Sequence, residues 1–458
     1  MLLGAIFERF VEQSPVTVMV RGILERILSK ESLDELFEKT AKTGYTRELL
    51  FSTLVNLMSV VVCSIRPSVG AVYKAMSEEI GVSKTAVYDK LKGIEPQVSA
   101  ALVEYTANEL MAVIHKLGGE LPELLPGYRA LILDGNQLGG TEHRLKVLGS
   151  TSAAALPGKS LVVLDPALML AVRVFPCEDG HAQERALFHD VLATVAAKDL
   201  YIADRNMCTL PFLFGLAKKQ AAFIIRSHQN LPWNPCEQIH SLGRIESGEL
   251  FEQNVLLEYE GQQLLLRRVL LKLDQPTRNG DTEIALFTNL TVAVAAAEVV
   301  TQLYRQRWTL ETVFQVITET FHCEIKTLGY PRAALFSFCM AMLAYNVLSC
   351  VRAALRSVHG TGKIEAGISN YYLADEIEGT YRGMMIAIPP SEWQIFHQMT
   401  LEQVCVTLKE LASKVRLEAF SSSPRKPKKK KPKPPYDPKH PHVSTARLLA
   451  QAKRKDSP

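Results

Sequence analysis

With 458 residues, 47% hydrophobic and 22% charged, the chain has the usage of a folded protein of two or three structural units, and a mostly disordered chain is excluded. The net charge of +4 divides into +10 over residues 421–458 (twelve Lys/Arg against two Asp) and −6 over residues 1–420, which points to a polyanionic partner. No apolar run reaches the roughly 18 residues that span a bilayer, and eight singly scattered cysteines without a CxxC pair fit a reducing cytoplasm and exclude a zinc ribbon or disulfide framework.

Residues 1–125 read as helical, with apolar side chains at helical spacing at Leu33, Leu36 and Phe37, at Leu50, Leu54 and Leu57, and at Leu102, Leu110 and Val113. Within them, Ser77-Glu-Glu-Ile-Gly81-Val-Ser-Lys-Thr-Ala-Val-Tyr-Asp-Lys-Leu91 has the pattern of a helix-turn-helix. Ile80 ends the first helix, Gly81 makes the turn, and Ser83 caps a second helix that presents Lys84, Thr85, Tyr88 and Lys90. The element either contacts DNA or is a plain helical hairpin packed on its neighbours.

Pro122, Pro126 and Gly127 punctuate the chain, and its character then changes. Short apolar runs at 129–134 and 200–204 each close on an acid, Asp134 and Asp204. Further strands are expected at 144–148, 160–164, 169–175 and 222–225, and helices at 181–197 and 210–216. Strands first, then alternating helix and strand, predict an α/β sheet. From 226 to 289 the pattern turns strand-rich, with a hairpin across Glu260-Gly261 between 255–259 and 264–273 and another strand at 283–287. Residues 292–356 are helical again, and 390–420 contain one more helix. The run Pro424-Arg-Lys-Pro-Lys-Lys-Lys-Lys-Pro-Lys-Pro-Pro cannot bury a core and is expected to stay extended, an arm suited to tracking polyphosphate.

An acid at the carboxyl end of a parallel strand lies where α/β sheets bind ligands. Two such acids on neighbouring strands repel one another unless a cation lies between them. Carboxylates without nearby Cys or His favour a hard ion such as Mg²⁺ or Mn²⁺. Further along, Tyr304, Arg307, Glu311, Gln315, Thr318 and His322 fall on one stripe if the helix runs unbroken past Trp308-Thr309; the alternative is that Thr309 caps a new helix. Leu303, Leu310, Phe314, Ile317 and Phe321 fall on a second stripe, which would dock on the sheet. An i, i+4 ion pair between Arg307 and Glu311 would by itself explain only two of these residues.

Tyr304-x2-Arg307-x3-Glu311, with Asp134 and Asp204 upstream, resembles the DDE transposases of the insertion-sequence-four family, whose signature is Y-x2-R-x3-E-x6-K. The segments 130–138, 199–213 and 322–331 and His442-Val-Ser-Thr-Ala-Arg-Leu-Leu449 share the likeness, which covers roughly residues 30–450. The family lysine is Thr318 here, a departure that bears on DNA-end affinity rather than on metal binding. The resemblance implies a ribonuclease-H-like catalytic core with a β-strand-rich insertion, flanked by N-terminal and C-terminal helical regions. It implies a prokaryotic, cytoplasmic, nucleoid-associated enzyme with no membrane partner. Such an enzyme binds terminal inverted repeats as a homodimer, cuts DNA at the element's ends and joins the freed 3′ ends to target DNA.

By the same resemblance Asp134, Asp204 and Glu311 hold two Mg²⁺ or Mn²⁺ ions, and Tyr304 and Arg307 contact DNA phosphate. Trp233 is the tryptophan available to stack on a flipped base, although packing on the insertion hairpin is the plainer use for it. His181, Glu184 and His189 are expected on an exposed helix, with Asp190 and Asp199 as ordinary surface charges. The expected organisation is an N-terminal helical DNA-binding domain over 1–125 and a DDE catalytic domain over 126–345, its insertion at about 226–290. A C-terminal helical region over 346–420 and a basic disordered tail over 421–458 complete it.

Overall fold

The computed structural model describes residues 3–43, 48–139, 141, 145–149, 154–277, 280–321, 323–325, 327–422 and 442–455. The lysine-rich run at 424–435, Arg144, His322 and the C-terminal residues 456–458 lie outside the described residues.

Twelve strands are described in chain order: β1 (Arg129–Gln137), β2 (Ala155–Leu156), β3 (Lys159–Asp165), β4 (Leu170–Cys177), β5 (Asp199–Ala203), β6 (Ala222–Arg226), β7 (Asn234–Pro235), β8 (His240–Ile245), β9 (Gly248–Tyr259), β10 (Gln262–Leu273), β11 (Glu283–Thr288) and β12 (Val443–Ser444). Ten form one sheet in the order β4-β3-β1-β5-β6-β11-β10-β9-β7, with β8 also paired to β9. β1, β3 and β4 are antiparallel neighbours, whereas β5 runs parallel to β1 and β6 parallel to β5. From β6 onward every pairing is antiparallel, so the strand-rich insertion extends the same sheet rather than forming a second one.

The apolar runs explain the first half. Leu131, Ile132 and Leu133 of β1, Leu200, Tyr201 and Ile202 of β5 and Phe223, Ile224 and Ile225 of β6 are all fully buried. Strands buried on both faces read as continuous hydrophobic runs, because helices cover both sides. The long hairpin of β9 and β10 instead alternates buried and partly exposed residues over much of β9. Its turn is Glu260-Gly261, where both residues adopt positive φ, 49° and 74°.

The N-terminal helices join this core. Pro96–Leu117 packs against β4 and against the 29-residue helix Pro331–His359. One continuous hydrophobic cluster runs from Phe7 through the sheet to Phe420. Pro331–His359 passes straight through the boundary expected between 345 and 346, so the catalytic and C-terminal regions share one helix there. Among the described residues it is the one helix long and apolar enough to cross a membrane, and its apolar window is wholly buried inside the protein.

Ser77–Ile80 and Lys84–Gly93 are helices joined through Gly81 at φ 68°, and the Ser83 hydroxyl accepts from the Ala86 amide at 3.2 Å. Lys84 and Thr85 are exposed. Tyr88 is half-buried, and the Lys90 ammonium lies 4.8 Å from the Phe37 ring, so these two are turned inward rather than presented.

Three local expectations are corrected. Lys146–Leu148 is a turn of 3-10 helix, not a strand, and Leu148 is buried under the C-terminal helix. The helix expected over 181–197 shrinks to a 3-10 turn at Glu184–Leu187 and a helix at Phe188–Ala193, with Leu187, Phe188, Val191 and, beyond the helix, Val195 buried. The tail expected to be disordered to its end folds at 442–455. β12 pairs in parallel with β2, Thr445–Lys455 is helical, and Ser444 and Thr445 are buried. The Ser444 hydroxyl and Arg447 Nε each donate to the Asp179 carboxylate at 2.7 Å. Val443, Leu448 and Leu449 supply the apolar surface that the lysine-rich run lacks.

Candidate active site

The parallel register pairs Leu133 of β1 with Ala203 of β5. Asp134 and Asp204, the next residues, therefore follow where the parallel pairing ends; contrary to expectation Asp134 does not close its strand, since β1 continues to Gln137 alongside β3. Asp204 is no longer in the strand. It caps the 3-10 turn Arg205–Met207, its Oδ1 accepting from the Arg205 amide at 2.6 Å. The Asp134 Oδ1 accepts from the Gly135 amide at 2.9 Å.

Of the two courses the sequence left open for the third element, the helix breaks, although the new one starts at Trp308 rather than being capped by Thr309. Ala297–Arg305 ends, Gln306 and Arg307 form a turn, and Trp308–Glu319 begins a new helix. The apolar stripe explains why both helices dock: Leu303, Leu310 and Ile317 are buried, and Phe314 is partly so. The polar stripe divides. Glu311, Gln315 and Thr318 are exposed, whereas Tyr304 is only 6% exposed. The Thr318 hydroxyl donates back to the Phe314 carbonyl at 2.8 Å, a bond within the helix where the family pattern has a lysine.

Arg307 joins the parts. Its Nη1 donates to Asp134 Oδ2 at 2.7 Å and its Nη2 to Glu311 Oε1 at 2.6 Å. The guanidinium is 13% exposed, and its Nε is buried without a hydrogen-bond partner. Burial works against the charged guanidinium, but Asp134, Tyr304 and Glu311 outweigh it and hold its pKa above the ordinary arginine value.

Asp134 carries the opposite strain. Burial pushes its carboxyl up to about 6, Arg307 and the Gly135 amide oppose the rise, and the charges of Asp204 and Glu311 add to it. Those last two contributions have the sign expected of like charges near Asp134. Tyr304 responds to Asp204 and Arg307 as well. Burial pushes its phenol up to about 12, Asp204 raises it further, and Arg307 and Arg226 pull against both.

Asp134, Arg307 and Glu311 are thus hydrogen-bonded into one group, and Asp204 stands on the adjacent strand end. Among the described residues no three Asp, Glu, His or Cys side chains stand close enough to hold a metal ion together. The donor chemistry nonetheless fits a hard divalent cation: carboxylate oxygens, with no thiolate or imidazole among them.

Several neighbours were invisible to sequence reasoning. A Cβ built at Gly135 would collide with the Glu184 carboxylate, so Glu184 lies against the strand of Asp134 instead of on an open surface. Asp199, expected to be exposed, is buried and accepts from the Ala196 amide at 2.8 Å. A cavity of about 660 Å³ opens beyond Asp204, lined by Arg205, Arg226, His228, Trp233, Arg268 and Asp281 among others. Trp233 is half-buried there, with the Arg268 guanidinium 5.1 Å from its ring centre, while Arg226 pairs with Asp281 at 3.0 Å. No periodicity or spacing signals that these residues are neighbours, because they come from loops, 3-10 turns and separate interior strands that meet only in the folded sheet.

Residues 126–347 match the family model described as the transposase DDE domain, which supports a DDE transposase. No curated protein matches the chain.

Proposed function

We propose, from the transposase DDE domain at residues 126–347, that the protein is a transposase that binds the terminal inverted repeats of an insertion sequence, cleaves DNA at those ends and transfers the freed 3′ strands to target DNA. The observation that carries the reading is the single guanidinium of Arg307 bonded to Asp134 and Glu311, with Asp204 at the neighbouring parallel strand end. The strand order β4-β3-β1-β5-β6, with three antiparallel strands followed by two parallel ones, supports a ribonuclease-H-like core. The Tyr304/Arg307/Glu311 spacing supports the insertion-sequence-four group.

Asp134, Asp204 and Glu311 would hold two Mg²⁺ or Mn²⁺ ions. Bound there, the ions would supply Lewis-acid stabilisation to an in-line phosphoryl transfer. The chain's own residues do the positioning, which dominates this chemistry. Arg307, with a planar fork suited to phosphate oxygens, clamps a phosphate beside the cut end. The Tyr304 hydroxyl, kept protonated by burial, donates to a neighbouring phosphate. The buried strands β1 and β5 hold the two aspartates in place while DNA is exchanged. The exposed Lys84 and Thr85 of the helix-turn-helix contact the repeat away from the cut. Synapsis of two ends requires two copies of the chain, a homodimer on DNA.

The test is a strand-transfer assay with the inverted repeats that flank the gene and Mg²⁺. Asp134→Ala, Asp204→Ala and Glu311→Ala should each abolish cleavage and leave repeat binding largely intact, and chelation of the metal should do the same. Persistent nicking by the Asp204 variant would mean that another residue is the second acid. Repeat binding without cleavage by the wild-type chain would identify a DNA-binding derivative that has lost catalysis.

A further inference from the structure

A guanidinium that bonds two carboxylates of a proposed metal site occupies the place of their counter-ion. Arg307 does this with separate nitrogens, at 2.7 Å to Asp134 and 2.6 Å to Glu311. A divalent ion shared by two carboxylates draws oxygens from both to within about 2.0–2.6 Å of one point. Asp134 Oδ2 and Glu311 Oε1 are each engaged by an arm of the arginine fork, and its positive charge opposes a second cation beside the same two carboxylates.

The arginine also has a reason to leave. It sits in the turn between Ala297–Arg305 and Trp308–Glu319, where bonds to the third residue back replace the helical hydrogen-bond ladder. Its Nε is buried without a partner. A phosphate presented by DNA would satisfy that donor and compete for the terminal nitrogens with two oxygens of its own.

We propose that Arg307 is an interlock between DNA and metal: in the free chain it is the counter-ion of Asp134 and Glu311 and competes with a divalent cation for them, and a bound DNA phosphate withdraws it. The inference rests on the reading of these acids as metal ligands. Coupling of this kind is reciprocal, so whatever factor DNA adds to cation affinity, the cation adds to DNA affinity. Its use is to keep the site unloaded, and so unable to hydrolyse random DNA, until an end is seated.

The test needs no catalysis. Mn²⁺ binding to the full chain without DNA is measured from the electron paramagnetic resonance signal of the free ion. Arg307→Gln should bind Mn²⁺ about tenfold more tightly than the wild type or better, since two charge-assisted hydrogen bonds no longer compete. Arg307→Lys, which keeps the charge but not the fork, should fall between them. Mn²⁺ should raise the melting temperature of Arg307→Gln more than that of the wild type, a reading that holds even if the variant is less stable without metal. Equal or weaker Mn²⁺ binding by Arg307→Gln overturns the interlock. Mn²⁺ binding by the double variant Asp134→Ala/Arg307→Gln as tight as by Arg307→Gln overturns the metal site itself.

Discussion

The two halves of the ten-stranded sheet are hydrogen-bonded without a break, yet they are built on different rules. In the half from β4 to β6, the strands beside Asp134 and Asp204 are buried on both faces. In the half from β11 to β7, β9 alternates and β8 is almost wholly exposed, with Leu242 and Leu265 largely in solvent. The helices Leu210–Lys218 and Ala297–Arg305 pack on the second half from the side nearest β6. The first half holds a fixed platform, with Asp134 on its middle strand β1 and Asp204 just past β5, while the second offers a wide, partly polar surface. A site that must hold charged groups still against mutual repulsion belongs on the half whose strands cannot shift.

Removal of a side chain from the platform is the most severe way to probe the contrast. Phe223→Ala, on β6 and fully buried, should cost about 3–5 kcal/mol in chemical denaturation, since a cavity forms between layers that cannot collapse. A loss below about 1 kcal/mol would show that the first half repacks freely. The insertion has one comparable anchor. Arg267 and Glu252, both under a tenth exposed, pair at 2.5 Å, and Arg267 Nη1 also donates to the carbonyls of Leu290 and Ala295. Arg267→Ala should cost about 3 kcal/mol by leaving Glu252 buried and uncompensated, and Arg267→Ala/Glu252→Ala should restore part of it. At the other extreme, Leu265→Lys on the open face of β10 should change stability by less than about 0.5 kcal/mol in the same measurement. A large loss there would mean that the face is covered.

Much of this was legible in the residues. The apolar runs at 129–134 and 200–204 coincide with β1 and β5, and the hairpin across Glu260-Gly261 lies where its turn residues put it. Ser83 and Gly81 act as a helix cap and a turn, because capping and positive φ are decided within four residues. The strand-rich composition of 226–289 was equally readable, although its attachment to the same sheet was not.

What sequence determined by itself are the features set by short-range patterning: the apolar cores of β1 and β5 with an acid after each run, the hairpin turn at Glu260-Gly261, and the cap and turn at Ser83 and Gly81. Tertiary structure alone decided that the helix breaks at 306–307 and that Arg307 reaches Asp134 from 173 positions away. It likewise decided that Glu184 rests on Gly135, that Asp199 is buried, and that 442–455 returns to pair with β2. Each of these depends on two surfaces brought together by the burial of a common core, and hydrophobic burial is non-directional: it settles that elements pack, while the shape of their neighbours settles which side chains meet.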